Sequence, residues 1–521
     1  MPRPLVRGPA RLGEQHDPGR LDKQQAGAMV ELGRESKLLA KHTAIYALGG
    51  MLQRLTGFLL LPVYTRHLTP TDFGIQEMVG LSTDIAATLI AASISIAVLR
   101  FYFEYDLPEE RNAVLSTALL VLGGIGLAAL AVLLSLSGPI ADLVLDDASL
   151  AQYFWISFTS LWFGSVNGIA FDYLRAKQKS VKYIIVSLLS LLLTVALNVY
   201  LVVVARLGVL GILLSTLTSS VVTFFILTIP LLFKIGLVYS RAKAKEMLAY
   251  GLPLVPGQIS RIIVNLSDRY FIKEFLSLAD AGIYSLGYRF GVLPSILISQ
   301  PFNQTWMPRR LEIYKSENAE YVFGRIFTYF LAAMFFAGVG ISILSREALM
   351  VMADEKFWGA YAIVPIIVLA NITFTLHYHF QMGLVIKKKI KYMGIIDPTN
   401  AVFVLVLNYL LIPRYGIFGA AYATLMAFVY KSALTYYLSK RIFSIHIETK
   451  RILKIILASG LIFWCSTLLH QDSLMLSFLL KLLLVSLFPV LLWGLRFFSK
   501  GELDQARAFF SKMRERLGIA R

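Results

Sequence analysis

The sequence predicts an all-α polytopic membrane protein of about 14 transmembrane helices: two parallel six-helix repeats followed by two C-terminal helices. Three observations carry this. Hydrophobic residues make up 57% of the 521 and charged residues only 16%, with a mean hydropathy of +0.67, whereas soluble domains carry about a quarter charged residues. Apolar runs fill most of residues 40–497, and roughly 20 apolar residues make one crossing. The chain also repeats itself. RLGVLGILLSTL at 206–217 returns as RYGIFGAAYATL at 414–425, so that Arg206/Arg414, Gly208/Gly416, Gly211/Gly419, Thr216/Thr424 and Leu217/Leu425 each stand 208 apart.

Residues 1–38 come first, polar and without an apolar signal-peptide core, and read as a disordered cytoplasmic tail. Fourteen spans follow near 40–65, 74–99, 112–137, 151–173, 181–205, 207–233, 248–274, 281–306, 321–344, 357–385, 390–412, 414–438, 451–469 and 473–496. Asp72-Phe73-Gly74-Ile75 before span 2 returns as Asp280-Ala281-Gly282-Ile283 before span 8, again 208 on. Lys182-Tyr183 and Leu197-Asn198 return as Lys391-Tyr392 and Leu407-Asn408. One period therefore holds six spans. Six is even, so the second copy enters from the same side as the first. The units are 39–236 and 237–442, with 443–498 added and 499–521 as a tail. In that tail Leu503, Ala506, Phe510, Met513 and Leu517 have helical spacing among basic residues, which suits either a helix on an anionic membrane surface or a solvated one.

The charges between spans set the orientation. Arg175, Lys177, Lys179 and Lys182, then Lys387, Lys388, Lys389 and Lys391, fall in loops on one side. Asp142, Asp146, Asp147, Glu347, Asp354 and Glu355 fall on the other, with exceptions such as Arg66, Arg346 and Glu109. The Lys/Arg majority places both ends in the cytoplasm. The net charge of +18 is thus a topology signal. It forms no continuous basic stripe for nucleic acid. Cys465 is the single cysteine, which excludes an intrachain disulfide. His377 and His379 lack further ligands for a zinc site. No Walker A string and no catalytic constellation is present, so neither an enzyme nor a cofactor is expected.

Ionisable groups inside spans cost at least about 2.5–3.5 kcal/mol at the bilayer centre, so they face a cavity or a partner. Span 7 places Gln258, Arg261, Asn265 and Asp268 on one face after Pro253 and Pro256, which predict a bend. Arg261 lines a cavity or pairs with Asp268. Arg269 lies near the outer end, where it can snorkel. Arg54 in span 1 stands 207 residues before Arg261. As repeat partners the two can face each other across an anion such as a pyrophosphate, or each can pair within its own bundle. Arg289 in span 8, one residue after Tyr288, lines the cavity or snorkels outward. Asp84 is a lone acid, available for proton coupling or for an ion pair. Arg100 and Arg309, 209 apart, mark the cytoplasmic entrance or act as positive-inside anchors. Lys431 faces a partner or a polar groove.

Several strings resemble one family. LPVYTRHLTPTDFGI at 61–75, YGLPLVPGQIS at 250–260, LSDRYFI at 266–272, AGIYSLGYRFG at 281–291 and RYGIFGAAYATL at 414–425 are similar to those of the polysaccharide and O-antigen flippases. These belong to the multidrug/oligosaccharidyl-lipid/polysaccharide exporter superfamily. The resemblance spans about residues 40–440. It implies two six-helix bundles around a central cavity working by alternating access in the bacterial inner membrane. The implied substrate is an undecaprenyl-pyrophosphate-linked saccharide passing from the cytoplasmic to the periplasmic leaflet. Arginines, with Arg54, Arg261 and Arg289 as candidates, would meet the pyrophosphate. Membrane lipids, a polysaccharide polymerase and glycosyltransferases are the implied partners. Two alternatives stand beside it: a cation-coupled drug or metabolite antiporter using Asp84 and Asp268, and a non-transporting scaffold in a polysaccharide synthesis complex.

Overall fold

The computed structural model describes residues 57, 58, 60–469, 473–502 and 504. Arg54, the N-terminal tail and most of the C-terminal tail lie outside the described residues. Among the described residues there is no strand. Helices α1 (Leu61–His67, the described end of the first span), α2 (Pro70–Glu104), α3 (Pro108–Ser135), α4 (Ala151–Ala176), α5 (Ser180–Val204) and α6 (Gly208–Ile235) form the first bundle. The second consists of α7 (Arg241–Phe275), α8 (Leu278–Gln304, helical on to Ile313), α9 (Ala319–Met352), α10 (Glu355–Ile386), α11 (Met393–Tyr415) and α12 (Ile417–Lys440). Helices α13 (Thr449–Leu468) and α14 (Leu474–Gly494) follow. Eleven of these described helices are long and apolar enough to cross a membrane.

The repeat is physical. Thr69 caps α2 by accepting from the Asp72 amide at 3.1 Å, and the Asp72 carboxylate accepts from the Thr69 amide at 2.9 Å. Ser277, 208 residues on, accepts from the Asp280 amide at the start of α8 at 3.0 Å. Side-chain oxygens at these positions satisfy amides that the first helical turn leaves open. Gly208 and Gly416 open α6 and α12 with φ of +56° and +58°, a conformation that glycine adopts without steric cost. Gly208 abuts Leu68 and Gly416 abuts Leu276, again a pair 208 apart. Asn198 of α5 accepts from the Tyr64 hydroxyl of α1 at 3.0 Å, and Asn408 of α11 donates to Ser267 of α7 at 3.2 Å.

Helices α2 and α8 start at the same end and cross where Gly74 meets Gly282. A Cβ on Gly74 would lie 1.9 Å from the Leu278 carbonyl oxygen, and one on Gly282 2.2 Å from that of Pro70. Repeat partners touching near their own N-termini can only be inserted in parallel.

Two boundaries differ from the sequence expectation. The first half of α7, Arg241–Gly251, packs in the first bundle's core through Ala244 and Met247. Its docking is polar as well. Ser116 and Thr117 of α3 accept from the amides of Val238 and Ser240 at 2.8 and 3.0 Å, and Tyr105 donates to Glu246 at 3.2 Å. The packing break therefore comes after residue 251, not at 236. Glu347, expected in an acidic loop, is buried in α9, which runs on to Met352. It accepts from Lys481 of α14 at 2.5 Å and from Ser477 at 2.7 Å, because two buried charges are tolerable only as a pair.

That pair ties α14 to the second bundle. At the opposite end of α9, Arg325 reaches Glu448 at 3.1 Å and also pairs with Glu502. Arg451 reaches Glu502 at 3.0 Å, so the start of the C-terminal tail is fastened to α9 and α13. Glu347→Gln leaves a buried ammonium without its counter-charge and should cost about 3–5 kcal/mol. Adding Lys481→Met should restore most of the lost thermal stability of the detergent-solubilised protein. A single variant as stable as wild type would show that the pair does not hold α14.

Candidate functional site

Two chambers lie side by side with α8 as their shared wall at Val292 and Ile296, the smaller lined from both bundles and the larger from the second. The larger, of about 800 Å³, is lined by α7, α8 and α10. The smaller, of about 390 Å³, lies on the first-bundle side, among Tyr64, Gln76, Thr194, Asn198, Thr216 and Arg289. The backbone of α7 and of α8 is irregular along these walls. Proline lacks the N–H that continues the helical ladder. Pro253 lies within a tight 3₁₀ turn at Leu252–Leu254 and Pro256 sits in the first turn of the helix that follows, so the α-helical ladder of α7 is interrupted where the prolines predict a bend. Pro294 precedes a widened π-helical stretch, Ser295–Ser299, in the chamber wall of α8. Such stretches loosen the ladder and are frequent at functional sites.

The end of the molecule where α1 passes to α2, and which also carries Asp146 and Asp354, is the acidic end. Bonds between the bundles gather there. Beyond the glycine crossing, Glu77 of α2 pairs with Arg289 of α8, and Lys273 of α7 donates to Asp146 of the first bundle at 2.6 Å. Thr65 of α1 donates to the Met352 carbonyl at 3.2 Å. Phe73 packs edge-on against Phe357 at 5.7 Å between ring centres. The larger chamber begins beside this closure at Tyr288 and extends along α8 to Gln304, about 24 Å further on.

The polar stripe of α7 divides. Arg261 is exposed and lines the larger chamber, about four turns or roughly 21 Å from the acidic end of its helix. Among the described residues no carboxylate lies within ion-pair distance of it. Asn265, one turn on, lines the same chamber and donates to the Arg261 carbonyl at 2.7 Å. Gln258 is half-buried and outside that lining. Asp268 points elsewhere. Only 2% exposed, it binds its neighbour Arg269 at 2.7 Å and accepts from the Tyr284 hydroxyl at 2.6 Å. The internal Arg261–Asp268 pair is therefore absent, and Arg269 does not snorkel: it is buried with its guanidinium over the Tyr288 ring at 4.2 Å. Adjacent residues point about 100° apart on a helix, so charge order alone does not show which arginine meets the acid.

Arg289 borders the smaller chamber while paired to Glu77, which combines the cavity reading with a partner across the seam. Its guanidinium also lies 4.8 Å from the centre of the Phe73 ring. Asp84 is exposed two turns past Glu77 on the same face of α2. Arg100 and Arg309 are both exposed near the opposite end. Arg100 sits over the Tyr250 ring at 4.3 Å, and Arg309 pairs with Glu312 at 3.3 Å. Lys431 has an acid partner, Asp397 of α11, at 2.8 Å. His377 and His379 are buried among aromatic rings, and no group of three potential metal ligands occurs among the described residues.

Sequence reasoning passed over Glu77, although a lone acid in span 2 carries the same cost as Asp84. It also passed over Ser295, Ser299 and Asn303, whose four-residue spacing marks one face of α8.

The fold and the sequence now place the chain. The family model described as "Polysaccharide biosynthesis protein" matches residues 39–314. No curated protein matches the chain by sequence. Among solved structures, the lipid II flippase MurJ in an inward closed conformation shares 16% identity, with a TM-score of 0.71 over 87% of this chain and 99% of that one. A multidrug resistance MATE family transporter of the MOP superfamily, inward-facing, gives 0.58 at 14% identity over 77% of this chain and 95% of that one. A Vibrio cholerae MATE transporter gives 0.51 at 17% identity over 78% and 98%. These likenesses concern the fold. The chain thus belongs to the polysaccharide biosynthesis protein family, as a multi-pass membrane protein with the flippase and MATE-type transporter fold.

Proposed function

We propose that this protein flips a saccharide linked through pyrophosphate to undecaprenol from the cytoplasmic to the periplasmic leaflet of the bacterial inner membrane, for surface polysaccharide synthesis. Both termini lie in the cytoplasm, and a polymerase and glycosyltransferases act on either side of the step. The observation that carries the reading is the larger chamber's wall. Arg261 is its one charged residue among the described lining, surrounded by amide and hydroxyl side chains. An unpaired guanidinium in a low-dielectric cavity attracts an anion, and its planar fork fits phosphate oxygens. Uncharged hydrogen-bonding groups suit sugars. The MurJ likeness supports the same assignment, since that protein is titled a lipid II flippase.

Closure at the acidic end corresponds to the inward-facing arm of an alternating-access cycle, with the chain up to residue 251 and residues 255–442 as the moving units and the α7 turn at Leu252–Leu254 between them. The antiporter alternative needs free carboxylates in the cavity; Asp268 is engaged by Arg269, and Asp84, which has no ion-pair partner among the described residues, lines neither chamber.

Arg261→Ala should lower saccharide export about 10- to 100-fold at equal protein level, the equivalent of one lost charge-assisted contact of about 1.5–3 kcal/mol. Arg261→Lys should recover part of it. Full export by Arg261→Ala, or a drug-resistance phenotype without a polysaccharide phenotype, would overturn the reading.

A further inference from the structure

The larger chamber offers hydrogen-bond acceptors in a definite pattern. Three asparagines face it from three helices: Asn265 of α7, Asn303 of α8 and Asn371 of α10. Each spends one N–H of its amide on protein. Asn265 donates to the Arg261 carbonyl at 2.7 Å, Asn371 to the Ile367 carbonyl at 2.9 Å, and Asn303 to the Ser299 hydroxyl at 3.1 Å. A carbonyl accepts only, so at Asn265 and Asn371 the nitrogen is the bonded atom and the orientation of the amide follows from the network. None of the described hydrogen bonds uses the three amide oxygens.

Thr375 behaves alike, spending its hydroxyl proton on the Ile372 carbonyl at 2.7 Å and keeping its lone pairs. Away from Arg261 the wall therefore offers free acceptor oxygens, beside the amide and hydroxyl groups of Gln300, Gln304 and Tyr378. Uncharged groups that accept as well as donate suit a ligand rich in O–H and N–H groups.

We propose that this chamber divides the substrate: the phosphate lies at Arg261, and Asn265, Asn303 and Asn371 accept from hydroxyl or acetamido N–H groups of the glycan. The assignment rests on the flippase reading of the same cavity. It makes the three asparagines specificity-determining residues for the saccharide and leaves carrier-lipid binding to the arginine. Because each amide is held by its own helix, its oxygen is pre-oriented, which lowers the entropic cost of binding.

The test uses full-length protein in nanodiscs with two probes: undecaprenyl diphosphate, and the same lipid bearing N-acetylglucosamine. Wild type should bind the glycosylated probe about tenfold or more tighter, the worth of one or two hydrogen bonds. Asn303→Leu/Asn371→Leu, close in volume, should bring the two affinities within about threefold, with binding of the bare lipid unchanged. That unchanged binding also reports correct folding. If the double variant does not fold, Asn303→Leu alone should still narrow the gap, since its amide contacts only another side chain.

Equal affinity of wild type for both probes, or an undiminished preference in the variants, would overturn this proposal while leaving the flippase reading intact. No binding of either probe by wild type would overturn the flippase reading itself, and this proposal with it.

Discussion

Gly282→Val should leave the acidic end unable to close. The added Cβ would sit 2.2 Å from the Pro70 carbonyl oxygen and 2.9 Å from the Gly74 nitrogen. Both are backbone atoms, so no side chain can swing aside and the two helices must separate. Overpacking typically costs about 1–3 kcal/mol, occasionally more, and a rigid helix crossing falls at the upper end. The full cost falls on the closed arrangement alone, so it shifts the closed-to-open ratio by roughly 100-fold. A cysteine at Ser295, in a background with Cys465→Ser, should then label with an impermeant maleimide from the acidic side of oriented vesicles. Saccharide export should fall in step. Gly74→Val, clashing with Leu278, should do the same. Unchanged protection in both variants would show that this crossing is not the closure.

The second large effect concerns the ion pair beside that crossing. Glu77→Gln removes the counter-charge of Arg289, whose side chain remains 30% exposed. The closed end should lose about 1–3 kcal/mol, less than a fully buried pair because water screens the remaining charge. Labelling at Ser295→Cys should rise about tenfold or more. Glu77→Gln/Arg289→Gln replaces the ion pair by two neutral amides and should regain most of the protection. If Arg289 also meets the substrate's phosphate, export should stay low in that double variant. Recovery of export together with protection would confine Arg289 to the seam.

Much of the fold was legible because a bilayer imposes simple demands. Each span must be apolar and about 20 residues long, and the offset of 208 survives in residues that cap or cross helices: Thr69/Ser277, Gly74/Gly282 and Gly208/Gly416. A glycine at a positive φ or a helix crossing has no substitute, so duplication left its trace there. The site was legible in part. Pro253 and Pro256 announced the bend because the missing N–H is a property of the residue itself. Arg261 announced itself because an intramembrane charge must have an answer.

The pairing of those charges was decided only by the tertiary structure. The sequence carries Asp268, Arg261, Arg269, Arg289 and Glu77 as intramembrane charges without saying which meet. Coulomb attraction depends on separation in space and on the surrounding dielectric, both of which come from helix rotation and packing. Rotation of α7 buries Asp268 with Arg269 and turns Arg261 to the cavity. The crossing of α2 and α8 brings Glu77 to Arg289, 212 residues away. Likewise, three asparagines on three helices become one acceptor wall only when the bundle assembles. Sequence by itself determined that the chain spans a membrane many times as two parallel copies. The tertiary structure determined at which end the bundles bond to each other, and that Arg261, unlike Arg269 and Arg289, lines the larger chamber with no carboxylate partner among the described residues.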